Sequence, residues 1–560
     1  MPFTRSISPM FLLAALLLPS AWSAAASPSR SEAPPAPEPA EESPIADPAD
    51  VGRPMLGDST VRHLIVTDRS LGAAFRRLAR AHREAGLTSR VRTLQSIREA
   101  YPAGRDDAER VRLFLKDAYA RWHTRFVLLG GDDPLIPMRR AYLDQMPFLA
   151  ADSVILLPTD QYYACLDGDW NADGDDRWSE LPNPSTGDAG DDADLIPELC
   201  VGRAPVTDRD QARVFVEKTI REMARRSQAG PLDVLLGAGL FDLIPGPSIF
   251  SAQAEGIKAQ LEGAIPSRFS RLYGDAQNWP GALPLTPRAL LDALERGPDL
   301  TILSGFGGRG VFATGNGTLS RDNVTATDLL ELDSHDRPGH VVVLSAFTNA
   351  PGILSVGAAL LRARHGGAVS VLGPTHIQFI AVTSAYEQGF FQQAYVEHSP
   401  TIGEAMRDNL AQLNLSWTGN LYRLTTLGDL LLGDPALAVP RGGVSGRSGR
   451  VSTEVGSGPL VISTGSDSRG TLAVGPNPAA SAARIEYAVP PGAEGRPFEL
   501  AVLDVAGRIV RKMDAGAAHG GLRSVQWDLR NDAGVKVPRG LYFVRASFGD
   551  RALVTRLVVR

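Results

Sequence analysis

Apolar residues fall into short unbroken runs separated by stretches in which they recur every three or four positions. The runs at 61–68, 89–94, 126–131, 233–239, 300–307, 340–347 and 368–376 have strand length and are rich in Val, Ile and Leu. This is the pattern of strands buried on both faces of a parallel sheet. The intervening stretches 71–85, 106–122, 208–226, 251–261, 288–295, 355–364, 385–397 and 402–413 carry the helical period. Strands alternating with helices of this length predict right-handed βαβ units, here arranged as two consecutive α/β subdomains, 58–228 and 229–440. Beyond them the period changes. Residues 441–470 are rich in Gly and Ser and read as a linker. The segments 483–489, 498–503, 524–529, 540–544 and 552–559 are short and alternating, with turn residues at 506–508 and 531–534, and predict a small all-β sandwich over 471–560.

The first 57 residues lie outside this folding pattern. Arg5, an apolar stretch at 10–18 and small residues at 21–26 predict a signal peptide over 1–26, with the mature chain beginning near Ser27 outside the cytoplasm. Residues 27–57, rich in Pro, Ala and Glu, predict a disordered spacer. No later run reaches the roughly 18 consecutive apolar residues of a membrane helix, so no span is expected after signal removal.

In open α/β sheets ligands bind beyond the carboxyl ends of the strands. That places function at Ser304–Gly310 and Ser345–Gly352. Several segments here resemble the gingipain family of secreted cysteine peptidases: Val127-Leu-Leu-Gly-Gly-Asp132 with Ile136-Pro137, Pro158–Ala164, Pro197–Arg203 and Leu432-Gly-Asp-Pro-Ala-Leu437. The resemblance covers about two-thirds of the chain and implies a caspase-like α/β fold. It also implies a strand ending in Gly-His-Gly, which carries the general base, and a next strand ending in a Ser-x-x-Cys type turn, which carries the nucleophile. This chain has Gly305-Phe306-Gly307 and Ser345-Ala346-Phe347 at those places, so the family dyad positions are Phe306 and Phe347. No His lies between Leu300 and Ser334 and no Cys after Cys200, so slipping the alignment does not restore the pair. Ser345 or Thr348 as a substitute nucleophile lacks a base. Of the family chemistry only oxyanion donors, backbone N–H groups near Gly307 and Phe347, are expected to survive. The two phenylalanines are expected to fill the former cleft, each contributing about 1.5–3 kcal/mol when buried. His376 follows the next strand and reaches the cleft edge as a polar loop residue, whereas His340 belongs to the opposite edge. Asp160 and Glu198 stand where the family places acids that support its histidine. With no histidine to orient, they are expected to bind metal or cap backbone groups.

These residues imply a secreted, non-catalytic member of that family that binds a peptide, a protein or a cell-surface component of a bacterium. The competing reading is a working cysteine-type endopeptidase, and a third is a surface protein in which only the fold matters. The C-terminal sandwich resembles the sorting domain of type IX secretion substrates and the Ig-like domain of flagellar hook-capping proteins, which implies engagement of a secretion machinery or surface attachment.

Charge adds one further motif. The chain is 43% hydrophobic and 21% charged with a net charge of −6, but residues 167–194 hold ten acids and one base, so the acidity is local. No basic patch suggests nucleic acid. Within the acidic stretch, Asp169-Trp-Asn-Ala-Asp-Gly-Asp-Asp-Arg-Trp-Ser-Glu180 fits the spacing of a twelve-residue calcium loop. Asp169, Asn171, Asp173, the Asp175 carbonyl and Glu180 are the expected Ca²⁺ ligands, Gly174 makes the sharp turn, and Arg177 is the one residue that fits badly. The loop is expected to act as a structural clamp. The two cysteines, Cys165 and Cys200, either pair or remain separate buried thiols.

Overall fold

A computed structural model describes residues 60–144, 154–183, 189–193, 195–225, 230–241, 247–315, 322–416, 420–442, 471–475, 479, 482–488, 495–503, 509–517, 522–538, 540–548 and 551–559. The signal peptide, the spacer, the turn at 506–508 and nearly all of the linker assigned from sequence lie outside these residues.

Eleven strands form one sheet. In chain order they are β1 His63–Thr67, β2 Ser89–Thr93, β3 Phe126–Gly130, β4 Cys200–Ala204, β5 Leu232–Ala238, β6 Ser267–Tyr273, β7 Leu283–Pro284, β8 Leu300–Ser304, β9 Gly339–Leu344, β10 Ala368–Pro374 and β11 Asp429–Gly433. Across the sheet the order is β7-β6-β5-β8-β9-β10-β11-β4-β3-β1-β2. Neighbours within β1 to β4 pair in parallel, as do those within β5 to β10, whereas β10 and β11 run antiparallel. β11 meets β4 at Leu432 and Arg203. The division expected at 228/229 therefore falls within a single sheet.

The alternation of side chains explains the layers. Ile65, Leu128, Leu235, Leu303, Val343 and Val371 point to one face and share a core with the helices Gly72–Glu84, Arg209–Ala224, Pro287–Glu295 and Val356–Arg362. On the other face, Leu64, Val66, Val127 and Leu129 pack against Asp107–Trp122. Val234, Leu236, Ile302, Val342 and Leu344 pack separately against Ile249–Ala264 and Ile380–Phe391. One face is continuous and the other is split. Helix starts follow local chemistry: Asp106, Asp208, Thr286 and Ser355 accept from the backbone N–H groups of Glu109, Gln211, Ala289 and Ala358.

Three features depart from the sequence pattern. β6, Ser-Arg-Phe-Ser-Arg-Leu-Tyr, lies one strand from the sheet edge and is half polar, so it has no apolar run to read. β11 follows directly on an unanticipated helix, Asn420–Gly428, with no connecting residue between them. The helix expected at 385–397 begins at Ile380 and ends in a π turn, Gln392–Val396.

The C-terminal part is a sandwich. One sheet holds Thr471–Gly475, Ala483–Ala488 and Leu522–Trp527, and the other Ile509–Ala517, Pro497–Leu503, Gly540–Phe548 and Arg551–Val559. Ile485, Leu500, Val502, Trp527, Val544 and Leu557 fill its core. Leu503 and Phe543 pack with Ile196 and Ala411 of the α/β part.

A disulfide between Cys165 and Cys200 is not formed. Both are buried cysteines outside any disulfide. The Cys165 sulfur lies 4.0 Å from Gln161 Oε1, whereas Cys200 opens β4 against Gly403, where an added Cβ would come within 3.0 Å of the Cys200 Cβ. Burial pushes the Cys200 thiol up to about 12.

The carboxyl edge is pinned by two buried charges. Asp132, just after β3, accepts from Gly352 N at 3.4 Å and from Arg362 Nη2 at 3.1 Å, so the carboxyl ends of β3 and β9 lie on the same edge. Arg203, fully buried, forms a fork on Asp160 at 2.8 and 2.7 Å and donates to the carbonyls of Gly131 and Ile136. Asp160 is thus an ion-pair partner, not the expected metal ligand or backbone cap, while Glu198 caps the Leu166 N–H at 2.5 Å. Removing one partner of a buried pair strands the other. Asp160→Ala should cost about 3–5 kcal/mol in chemical denaturation; a loss below 1 kcal/mol would show that the fork is not needed.

Candidate functional site

The two central strands end where expected. β8 and β9 pair from Leu300–His340 to Ser304–Leu344, and Gly305 N donates to Leu344 O at 3.2 Å. A Cβ on Gly307 would lie 1.9 Å from Ser345 Oγ, so only glycine lets the first strand end cross the second. Gly307–Gly308 then turns into a hairpin with Val311–Ala313.

Phe306 and Phe347 are both half-buried, and their rings are not a contacting pair. Phe306 stacks on Phe241 at 5.7 Å and meets Phe250 edge-on at 5.3 Å. Phe347 lies 4.9 Å from the His376 ring and under the Arg309 guanidinium at 5.4 Å. The pair does not close a shared plug, and partial exposure reduces the burial energy expected of each. Phe347 has φ +59°, a left-handed conformation that costs a non-glycine residue about 1–2 kcal/mol. Its N–H donates to His376 O at 3.1 Å, so it is not the free oxyanion donor expected from sequence.

Behind this turn the polar groups are closely placed. Thr348 Oγ1 donates to Ser345 O at 2.7 Å. The hydroxyls of Ser304 and Ser345 and the Nδ1 of His376 are buried without hydrogen-bond partners. Burial, followed by the charge of Arg309, lowers His376 to about 4. His340 lies at the amino end of β9, bonded to Ser370 Oγ at 2.9 Å, away from the cleft. Sequence reasoning gave no role to Asn349, whose Nδ2 donates to the carbonyls of Val371, Gly373 and Leu430. Its only signal was its place two residues after Phe347.

The acidic loop folds as a loop. Gly174 has φ +81°, and Asp169, Asp173 and Asp175 each accept the backbone N–H two residues on. One carboxylate oxygen from each of Asp173, Asp175 and Glu180 lies within 4.8 Å of the others. Asn171 Oδ1 is buried with no hydrogen-bond partner, while its Nδ2 donates to the Asp175 carbonyl at 2.5 Å. Arg177 reaches in to Asp175 and Glu180, each at 3.4 Å. Sequence spacing missed Asp191, which accepts from Ala172 N and Glu180 N and comes from outside the twelve-residue pattern. Burial, with the nearby Asp173 charge, raises its carboxyl. The pairing of Gly168–Asp169 with Asp192–Ala193 closes the loop. A hard-oxygen donor set with an orphaned buried amide oxygen fits a Ca²⁺ ion.

A long, predominantly parallel sheet with its cleft at the ends of the two central strands is the architecture of a caspase-like peptidase. The chain belongs to peptidase family C25, whose description matches residues 57–440, and the FlgD Ig-like domain description matches residues 466–550. Among solved structures it is similar to the Arg-specific cysteine proteinase gingipain R (RgpB), at 14% identity and TM-score 0.51, covering 91% of this chain and 100% of that one. The complex of Porphyromonas gingivalis RgpB pro- and mature domains gives 14% identity and TM-score 0.50, covering 89% and 100%. At this identity the likeness is one of fold. Comparison with curated proteins finds no match.

The His376 environment sets a pH dependence. Its folded value, about 4, is below the ordinary 6.5, so between these values the unfolded chain binds more protons and stability rises with pH. Denaturation midpoints of wild type should fall more steeply from pH 6.5 to 4 than those of His376→Gln; parallel profiles would contradict the burial of this imidazole.

Proposed function

We propose that this chain is a secreted, non-catalytic member of the gingipain family that binds a peptide or surface partner at the carboxyl edge, with calcium holding the acidic loop. The observation that carries this reading is the pair of phenylalanines at the strand ends. Family chemistry needs a thiolate and a base within reach of it. Here the turn at 347 keeps its strained backbone and presents an aromatic ring, both thiols are buried elsewhere, and the imidazole beside the ring is held neutral by its surroundings. Arg309, exposed above Phe347, gives the cleft a cation suited to a carboxylate-bearing peptide. Family members are secreted or surface-associated, and among the described residues no helix is long and apolar enough to cross a membrane. Export or attachment through the C-terminal sandwich completes the reading.

Purified protein should show no turnover of Arg-, Lys- or general-peptide substrates, while retaining members of a peptide library in a way that Arg309→Ala weakens. Hydrolysis that thiol-directed inhibitors abolish, and that Cys200→Ser or Cys165→Ser removes, would establish the peptidase instead.

For the loop, Ca²⁺ at a hundredfold excess over Kd should add about 2.7 kcal/mol. The melting midpoint should therefore drop by several degrees in chelator for wild type and not for Glu180→Gln. Because Ca²⁺ must displace Arg177 from Asp175 and Glu180, Arg177→Ala should bind the ion more tightly. Identical midpoints in all conditions would remove calcium from the account.

A further inference from the structure

Opposite the cleft, at the amino ends of β1 and β2, lies a cluster that neither the family chemistry nor the calcium loop uses. His63 begins β1, His82 lies in the last turn of the helix Gly72–Glu84, and Asp434 follows β11. All three are buried: His63 and Asp434 fully, His82 to within 3%. His82 Nε2 is 2.8 Å from Asp434 Oδ2, and His63 Nε2 is 3.3 Å from Oδ1. The imidazole centroids are 4.2 Å apart. One ligand atom from each residue lies within 4.8 Å of the other two.

We propose that His63, His82 and Asp434 bind a divalent transition metal of the zinc class. Four arguments converge. At Zn–N and Zn–O distances of about 2.0–2.2 Å, tetrahedral ligand atoms stand about 3.3 Å apart; the His63–Asp434 separation of 3.3 Å matches that spacing, and the His82–Asp434 separation of 2.8 Å is shorter. His63 Nε2 is buried, and Asp434 Oδ1 lies 3.3 Å from it, at the long end of a hydrogen bond. The other nitrogen of the same ring, Nδ1, is 2.8 Å from Ser89 Oγ, the kind of outer contact that fixes the orientation of a ligating imidazole. Finally, Asp434 is a buried carboxylate that pairs with no Lys or Arg among the described residues. Among the described residues its carboxylate otherwise accepts only the Ala436 N–H, at 3.0 Å. A divalent cation supplies the missing positive charge. Two imidazole nitrogens and one carboxylate select zinc-like ions over Ca²⁺ and Mg²⁺, which prefer all-oxygen shells. A tetrahedral ion keeps one position for water.

The placement says what the ion does. His82 and Asp434 are 352 positions apart, so the ligands meet only after the first strand and helix have docked with the last strand of the α/β part. The metal would latch the two ends of that part together, as a structural site buried from substrate.

The test uses the full mature chain without a polyhistidine tag. Elemental analysis of the folded protein should find about one equivalent of zinc-class metal per chain. After unfolding in chelator and refolding with Co²⁺, the intense visible absorption of tetrahedral cobalt should appear and saturate at one equivalent. Glu180→Gln should retain both signals, which separates this site from the calcium loop, whereas His82→Gln and His63→Gln should lose them. Should those variants fail to fold, the wild-type cobalt titration decides alone. Folded wild type with only trace metal and no tetrahedral cobalt spectrum would overturn the proposal and leave the cluster as a hydrogen-bonded clasp.

Discussion

The carboxyl edge of the sheet depends on one buried amide. Asn349, 1% exposed, donates to carbonyls on β10 and at the start of β11, which are the two strands where the sheet changes direction. A Cβ on Gly357 would lie 1.9 Å from the Asn349 oxygen, so the following helix can approach only through a glycine. This anchor holds the turn after β9, and with it the left-handed backbone of Phe347. Strain of this kind persists only where the surroundings over-determine it. The same edge is tied to the other half of the sheet by Asp132, bonded to Gly352 and Arg362, and by Thr375, which donates to Pro158 O at 2.8 Å. The cleft is therefore a rigid feature built from four separate segments, whatever side chains it presents.

What those side chains present is mostly apolar. Phe306 joins Phe241 and Phe250, and Phe347 rests between His376 and Arg309. The orphaned hydroxyls of Ser304 and Ser345 remain behind them. In the proposed function, the left-handed backbone at Phe347, its ring and the Arg309 cation at the rim would form the surface that holds a ligand. Elsewhere the fold handles buried charge by pairing it: Arg203 with Asp160 and Arg362 with Asp132. Lys218 is handled differently. Buried, it donates to four carbonyls and has no carboxylate, and burial lowers it to about 7. Among buried carboxylates without a Lys or Arg partner, Glu387 and Asp429 are bonded to the amides of Gln253 and Gln378, whereas Asp434 meets two imidazoles.

Much of this was legible in the sequence, for identifiable reasons. Strands such as Phe126–Gly130 and Leu300–Ser304 are buried on both faces, so their apolar runs are unbroken, and glycines or small residues mark their ends. The twelve-residue acidic loop could be read because its acidic residues lie close together in the chain. What was missed is non-local or half polar. β6 alternates exposure, Asp191 enters the loop from outside its spacing, and Asn349 shows its role only through carbonyls 22 to 81 positions away. The His63, His82 and Asp434 cluster was invisible for the same reason. Which partners Phe306 and Phe347 would meet was not legible either, because neighbouring strand ends direct their rings to different neighbours.

The central claim is that the peptidase cleft survives in backbone while its reacting groups are replaced. The most direct measurement is intact-mass analysis of native protein treated with a thiol-directed peptide inhibitor, comparing wild type with Phe306→His/Phe347→Cys. The account predicts no adduct on wild type, whose Cys165 and Cys200 are buried, and a single adduct at position 347 of the double variant. Stoichiometric modification of folded wild type, with loss of a peptide-cleaving activity, would contradict it.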